Sequence, residues 1–421
     1  AFVNALVRIL KKIVPEAIVR PLRPLYHRTL AFLMAFAYGF PARRLIVIGI
    51  TGTKGKSTTA DMLFSILREA GYETALLSTI RFAINEDSEP NLYKMSLPGR
   101  GFAQAFMRRA LKAGCTHLVI EVTSESVLQY RHWFLDLDGL IVTNIHPEHI
   151  ESHGSFENYV AAKRTIVDTL VHSPKPNKVL IANQDIPETR AFLSAHVPKT
   201  IAFSEKELQH LQGDNRSVGF EYAGVHFSLP IPGTFNAMNA LAAIKMSDAL
   251  GVPFTAAATA LATLPPVQGR VERIEAGQNF TVIVDYAHTP DSLRALYGAF
   301  PTQRKICVLG NTGGGRDTWK RPAMGRIADE ACEKVILTNE DPYDEDPRAI
   351  VDAMAANMQR APEIIMDRRE AIRYALQIAR SDDTVLISGK GTDPFIMGSH
   401  GTKTSWSDAL VVREELRRLL G

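Results

Sequence analysis

Cysteine is scarce in this chain: Cys115, Cys307 and Cys332 are the only three in 421 residues. None forms a CxxC pair, which argues against a zinc–thiolate centre or a disulfide framework and fits a reducing, intracellular compartment. No apolar run reaches the ~20 residues that a membrane-spanning helix needs. Short internal repeats and low-complexity tracts are missing, so neither a solenoid nor a disordered chain is expected. Charge of one sign is not in excess either. The formal net charge is +3, which does not indicate a nucleic-acid binder.

Apolar material is ample. With 46% hydrophobic and 22% charged residues, the composition suits two or three domains with full-sized cores. The charge is unevenly spread: residues 1–44 hold eight Lys/Arg and one acid, Glu16, for a net of +7, and the remaining 377 carry −4. In this leader, FVNALVRILKKIV (2–14) repeats apolar residues at helical spacing. Pro15, Pro21 and Pro24 are then expected to break the chain before a second apolar run, Leu30–Tyr38. A strand follows too closely to leave room for a signal-peptide cleavage site. Two readings stand: a helical hairpin packed on the body, or a basic amphipathic helix resting on an anionic membrane surface.

From Arg44 onward, short apolar strands alternate with amphipathic helices, the pattern of an α/β protein with a parallel sheet. Strands are expected at 44–50, 117–124, 139–145 and 178–183, with helices at 57–71, 101–113 and 156–171. A hairpin at 217–230 and helices at 234–250 and 253–264 follow. LPPVQGR (264–270) marks a domain break. The same rhythm then restarts with strands at 280–287, 304–311, 334–341 and 384–391, and a helix at 407–420 closes the chain.

The strongest local signal is Gly49-Ile-Thr-Gly-Thr-Lys-Gly-Lys-Ser-Thr58, between a strand and a helix. Gly52 and Gly55 let the backbone N–H groups of Thr53, Lys54 and their neighbours turn toward phosphate oxygens. Lys56 can reach the β/γ-phosphates, the Ser57 hydroxyl can ligate Mg²⁺, and the helix start at Thr58 adds its dipole. The strict pattern wants glycine where Ile50 stands, so the first glycine is displaced by one. The loop reads as a site for a nucleoside triphosphate with Mg²⁺ and leaves the use of the phosphate open.

Five further segments stand in order behind the loop: EVTSESVLQYR (121–131), TNIHPEH (143–149), YVAAK (159–163), GTFNAMN (233–239), and GRVE (269–272) with DYAHTPD (285–291). Together with TGTKGKST they resemble the Mur ligase family from about Arg44 to the C-terminus, most of all the E-type UDP-N-acetylmuramoyl-tripeptide synthetases. That resemblance implies an ATP-binding central P-loop domain (44–266) with a parallel sheet. It implies a C-terminal Rossmann-like α/β domain (267–421), with residues 1–43 a short helical segment. It also implies an ATP- and Mg²⁺-dependent amide-bond ligase. The carboxylate of a peptidoglycan-precursor peptide would take the γ-phosphate, and an amino acid would then displace it from the acyl phosphate. The expected setting is a cytoplasmic monomer, with peripheral membrane contact through residues 1–40 as the second reading of the leader.

The resemblance also assigns roles. Glu121 ligates Mg²⁺, His149 helps to bind a second Mg²⁺, and Lys163 is carbamylated and assists it. Ser124, Gln129 and Arg131 line the acceptor side. Asn239 or Asn236 faces the adenine, while Arg270, Asp285 and His288 contact the nucleotide. Read alone, His146, His149 and His153 would suggest zinc, but no fourth ligand is near. Asn236 alone reads as a helix cap.

Two departures bear on the substrate. The resemblance leads us to expect the short leader in place of the family's uridine-nucleotide domain, so that a UDP-linked acceptor would lack its usual anchor and the acceptor would be held differently or not be UDP-linked. And where diaminopimelate-adding relatives carry Asp-Asn-Pro-Arg, this chain has Glu340-Asp341-Pro342-Tyr343. Tyrosine cannot pair bidentately with a distal carboxylate, and Asp344, Glu345 and Asp346 would favour a cationic side chain such as lysine or ornithine, unless they form a solvated turn. Gly389-Lys-Gly-Thr-Asp393 matches a family motif near the amino-acid site. Two alternatives remain: a folylpolyglutamate synthase-like ligase, and a nucleotide-binding assembly protein without catalysis.

Overall fold

The computed structural model describes residues 16–421 apart from Lys94, Arg100 and His149. Two α/β bodies carry separate sheets. The first sheet has eight strands: β1 (Ile46–Thr51), β2 (Thr74–Leu77), β3 (Arg81–Ile84), β4 (Asp87–Pro90), β5 (His117–Glu121), β6 (Gly139–Val142), β7 (Val179–Asn183) and β8 (Lys199–Phe203). Their order is β4-β3-β2-β5-β1-β6-β7-β8, parallel from β2 to β8 with an antiparallel edge at β3 and β4. β1, β5 and β6 read as near-continuous apolar runs because helices cover both faces. A three-stranded antiparallel sheet, β9 (Gln209–Gly213), β10 (Val218–Tyr222) and β11 (Val225–Leu229), lies beside it.

The second body carries β12 (Glu272–Arg273), β13 (Thr281–Asp285), β14 (Lys305–Leu309), β15 (Lys334–Leu337), β16 (Glu363–Ile364) and β17 (Thr384–Ser388). The order is β12-β13-β17-β14-β15-β16, all parallel except β12. In such sheets ligands gather outside the carboxyl ends of the strands. Those ends carry Asp285, Asn311, Glu340 and Gly389.

Helices include α1 (Glu16–Ala37), α2 (Lys56–Glu69), α3 (Phe102–Lys112), α4 (Ser124–Leu128), α5 (Phe156–Val171), α6 (Thr234–Ala249) and α7 (Phe254–Ala262), and in the second body α8 (Pro290–Gly298), α9 (Lys320–Ala331), α10 (Pro347–Ala355), α11 (Arg368–Gln377) and α12 (Asp408–Leu420). α2 packs most closely on α6 and, with Leu63, Ile66 and Leu67, fills the core under the first sheet.

Two expectations are corrected here. Pro21 and Pro24 do not break the chain, because α1 runs through both. Each proline only withholds one donor, from the carbonyl four residues back, of Ala17 and Arg20. The expected absence of a disulfide also fails: Cys307 on β14 and Cys332 after α9 are bonded, with Cα atoms 6.1 Å apart, while Cys115 stays a buried thiol. Parallel pairing of β14 with β15 brings two distant cysteines side by side, which spacing along the chain does not reveal. The expected helix at 2–14 lies outside the described residues. No helix among the described residues is long and apolar enough to cross a membrane.

Candidate active site

The loop after β1 wraps the start of α2. Gly52 has φ +145°, and a Cβ there would lie 2.0 Å from Thr143 Oγ1; Gly55 has φ +79°, and its Cβ would lie 2.2 Å from Asn239 Oδ1. Both glycines are therefore required by backbone conformation and by close approach. Lys54 N donates to Asn144 Oδ1 and Thr53 Oγ1 lies 2.8 Å from Tyr159 OH, which pins the loop to its neighbours. Lys56 Nζ donates to Gly52 O and Thr53 O. Burial lowers its pKa, with Glu121 and Glu148 opposing.

Glu121 ends β5 fully buried. Its two oxygens accept from Thr79 N (2.8 Å) and Thr79 Oγ1 (3.0 Å), leaving lone pairs for a hard cation. Ser57 lines the same cavity. No cluster of three His, Cys, Asp or Glu suited to a metal occurs among the described residues, so the zinc reading gains nothing, and His149 lies outside them. Ser57 and Glu121 fit Mg²⁺ well, because that ion keeps waters and phosphate oxygens and needs few protein ligands.

Lys163, on α5, is 1% exposed and lies under the loop. Its Nζ donates to Thr51 Oγ1 (3.1 Å) and Gly52 O (2.9 Å). Burial first, and then the Lys56 charge, hold its pKa well below the ordinary lysine value.

A cavity of about 540 Å³ lies between the two bodies. From the first it is lined by Thr53, Lys54, Gly55, Lys56, Ser57, Thr58, Glu121 and Asn239, and from the second by Arg270, Asp285 and His288. Eleven residues singled out for nucleotide or metal thus face one space. Asn236 is not a cap: it lies in the first turn of α6, donates to Pro232 O and accepts from Asn239 Nδ2.

Asp285 is held by backbone donors, Val271 N at 2.7 Å and Ala287 N at 2.6 Å, and burial raises its pKa. Arg270 stacks 4.5 Å from the centre of the Tyr286 ring. His288 Nε2 reaches Glu148 Oε1 at 2.8 Å, and Lys54 Nζ meets the same oxygen at 2.8 Å. Burial pushes His288 down to about 4. A neutral ring has one N–H for two acceptors, Glu148 and Tyr286 O. Glu148 and Tyr286 were not singled out by the sequence. The signal for Glu148 was its place between His146 and His149, where only the histidines drew notice.

Ser124, Gln129 and Arg131, expected on the acceptor side, do not line the cavity, although Thr123 and Glu125 beside Ser124 do. Arg131 donates to Leu97 O (2.7 Å), touches Gln129 and Met95, and Met95 lines the cavity. Ser124 Oγ is 3.2 Å from His153 Nε2.

The amino-acid segment forms a separate cluster that does not line the cavity. Lys390 Nζ is buried against Asp341 (2.7 Å), Asp393 (3.3 Å) and Phe395 O (2.6 Å). A Cβ on Gly389 would lie 2.3 Å from Glu340 Oε2. Tyr343 adopts φ 54°, with Arg316 4.9 Å from its ring centre. The acidic turn is not a cation cradle. Arg321 clamps Glu345 at 2.6 and 2.9 Å, and Asp346 caps α10. Asp344 accepts from His400 N and stays largely exposed. The expectation that these acids select a cationic side chain is therefore corrected for Glu345 and Asp346, whose charges are committed to structure.

Comparison with known proteins accords with this arrangement. Residues 50–247 match the Mur ligase middle domain, and residues 269–391 match the Mur ligase glutamate ligase domain. A UDP-N-acetylmuramyl-tripeptide synthetase of Roseiflexus sp. (strain RS-1) is 35% identical, covering 93% of this chain and 82% of the relative. A UDP-N-acetylmuramoyl-L-alanyl-D-glutamate–2,6-diaminopimelate ligase of Syntrophomonas wolfei is 33% identical, over 87% and 77%. A solved ligase of the latter kind superposes with TM-score 0.61 at 25% identity, covering 90% of this chain and 79% of that one. Folylpolyglutamate synthase from Mycobacterium tuberculosis shares the fold, with TM-score 0.67 at 18% identity over 93% and 94%. With two matched domains in sequence order and relatives above 30% identity along most of their length, the chain belongs to the Mur ligase family, whose members are ATP-dependent, ADP-forming amide-bond ligases.

Proposed function

We propose that this protein adds an amino acid to the peptide carboxylate of a UDP-linked peptidoglycan precursor, at the expense of ATP. The observation that carries the proposal is the single cavity in which Lys56, Ser57 and Glu121 face Arg270, Asp285 and His288. Lys56 leaves its two carbonyl partners for the phosphates, and Arg270 approaches the same charge from the second body. Mg²⁺ held by Ser57 and Glu121, with His149 and Lys163 in support, would offset charge on the phosphates. Lys163 takes up CO₂ as a carbamate, which its burial and lowered pKa favour. Asn239 faces the adenine; Ser124, Gln129 and Arg131 hold the acceptor; Asp341, Tyr343, Asp344, Gly389 and Asp393 surround the incoming amino acid.

Closure of the two bodies keeps water from the acyl phosphate. The working division is 1–43, 44–266 and 267–421. The protein acts as a monomer in the cytoplasm, with its leader toward the membrane. The test is product mass and phosphate release with UDP-N-acetylmuramoyl-L-alanyl-D-glutamate, ATP and a panel containing lysine, ornithine and diaminopimelate. Amide formation with one of them is expected. Turnover only with a folate and glutamate would instead establish the folylpolyglutamate reading, and ATP binding without any amide product would leave an assembly role.

A further inference from the structure

Helix α1 is oriented against the usual rule for a helix on a water-soluble body. Positions 25, 29, 32, 33 and 36 share one face by three- and four-residue spacing. That face points outward, with Leu25 64%, Leu33 53% and Phe36 67% exposed. The opposite face, with Leu30, Met34 and Ala35, packs inward, and Met34 closes on Gly101. Further apolar side chains stand exposed outside the helix. Leu92, Tyr93 and Met95 are also exposed, and the chain from Tyr93 packs back through Phe102 to the contact at Gly101. Arg28 ties the helix to the acceptor-side segment, donating to Tyr130 OH at 3.0 Å and lying over the Tyr130 and Trp133 rings. Apolar patches of this kind on a water-soluble body mark an interaction surface.

The composition of the segment that carries this helix names the partner. Residues 1–44 carry a net +7 while the rest of the chain carries −4. A protein partner for an apolar stripe does not require such a concentration of cations, whereas an anionic lipid surface takes both together: apolar side chains enter the headgroup boundary while Lys and Arg stay at the phosphates. We infer that the outer face of α1, together with Leu92, Tyr93 and Met95, docks on an anionic bilayer and holds the cavity, which Met95 also lines, at the membrane interface. The inference rests on the ligase reading only for what enters that cavity; the docking itself does not depend on it.

The test is sedimentation of the full chain with vesicles of phosphatidylcholine alone, or of phosphatidylcholine with phosphatidylglycerol, at low and high salt. Binding to the anionic vesicles is expected, weakening as salt rises. A Leu33→Glu/Phe36→Glu variant should bind about ten-fold or more weakly, with an unchanged melting temperature and unchanged ligation of a soluble acceptor. Leu25→Glu is the second variant should the double one fail to fold. Absence of vesicle binding overturns the inference. So does equal binding to both vesicle types, or a concentration-dependent dimer that the same substitutions abolish. Vesicle binding by a protein that forms no amide would sink the ligase reading and leave the docking surface standing; ligation without vesicle binding does the reverse.

Discussion

His288 in the second body and Glu148 in the first meet at 2.8 Å, and Lys54 of the phosphate loop meets the same Glu148 oxygen. One carboxylate thus joins the loop to the domain that supplies Arg270. Glu148→Gln keeps the shape and removes the charge. Losing charge-assisted bonds worth about 1.5–3 kcal/mol should lower kcat/KM for ATP by roughly 10–100-fold. Steady-state kinetics checks this, and an unchanged kcat/KM would show that the link is incidental to catalysis.

Lys163 is expected to be indispensable for turnover and dispensable for folding. Lys163→Ala should cut kcat by at least about 100-fold, while Lys163→Glu, which restores an anion, should recover part of it. Intact-mass measurement of the wild-type protein in bicarbonate should show the carbamate. Full activity of Lys163→Ala would remove the residue from the site.

Three imidazoles, His117, His132 and His288, are held by burial at about 4. Each folded-state pKa lies below the unfolded value near 6.5, so the unfolded chain binds more protons between these limits. The stability they contribute is full above about pH 6.5 and is lost as pH falls toward 4. The raised Asp61, Asp285 and Glu340 carboxyls act in the opposite sense, losing stability as pH rises, so the whole profile mixes the two. His132→Gln isolates one contribution, since His132 Nδ1 is buried without a hydrogen-bond partner. Urea midpoints at pH 5 and pH 7.5 should differ less in the variant than in wild type; an equal difference would refute the assignment.

These residues also mark the limit of what the chain disclosed as text. The parallel strands, the phosphate loop and the helices at 56–69, 102–112 and 156–171 carry local signals, apolar runs and turn glycines, and were legible. Glu121, Arg270 and His288 were found through motifs, and the fold brings them to one cavity. Glu148 and the Cys307–Cys332 bond depend on partners 140 and 25 positions away, which no local pattern encodes. The strand at 87–90 was missed because it forms an exposed edge of polar residues such as Asp87 and Glu89, and the strand at 81–84 because its buried pair, Phe82 and Ala83, is too short to show alternation.

The acidic turn gives a sharper separation of roles. Glu345 belongs to Arg321 and Asp346 to its helix, so Glu345→Gln should lower the melting temperature while leaving the choice of amino acid unaltered. Tyr343→Arg should raise kcat/KM for diaminopimelate relative to lysine by about ten-fold, because a guanidinium can take a distal carboxylate. Competition between the two amino acids, read by product mass, checks both. A change of preference in Glu345→Gln would return that carboxylate to the substrate.

Lys390 and Asp341 form an ion pair almost wholly out of solvent, with Nζ 2.7 Å from Oδ1. Asp341 Oδ1 also accepts from Met397 N at 2.8 Å, so the pair anchors the strand Phe395–Met397 against the end of β15. Removing one partner strands the other charge. Lys390→Met should therefore cost about 3–5 kcal/mol of stability. Lys390→Met with Asp341→Asn should cost less than Lys390→Met alone, since the amide still accepts from Met397 N without a buried charge. A double-mutant cycle by chemical denaturation measures the difference. If the double variant is as unstable as the sum of the single ones, the pair is not coupled and a direct role of Asp341 toward the amino acid stands; if it recovers stability, Asp341 acts by holding the segment in place, and its effect on turnover should appear in KM for the amino acid before kcat.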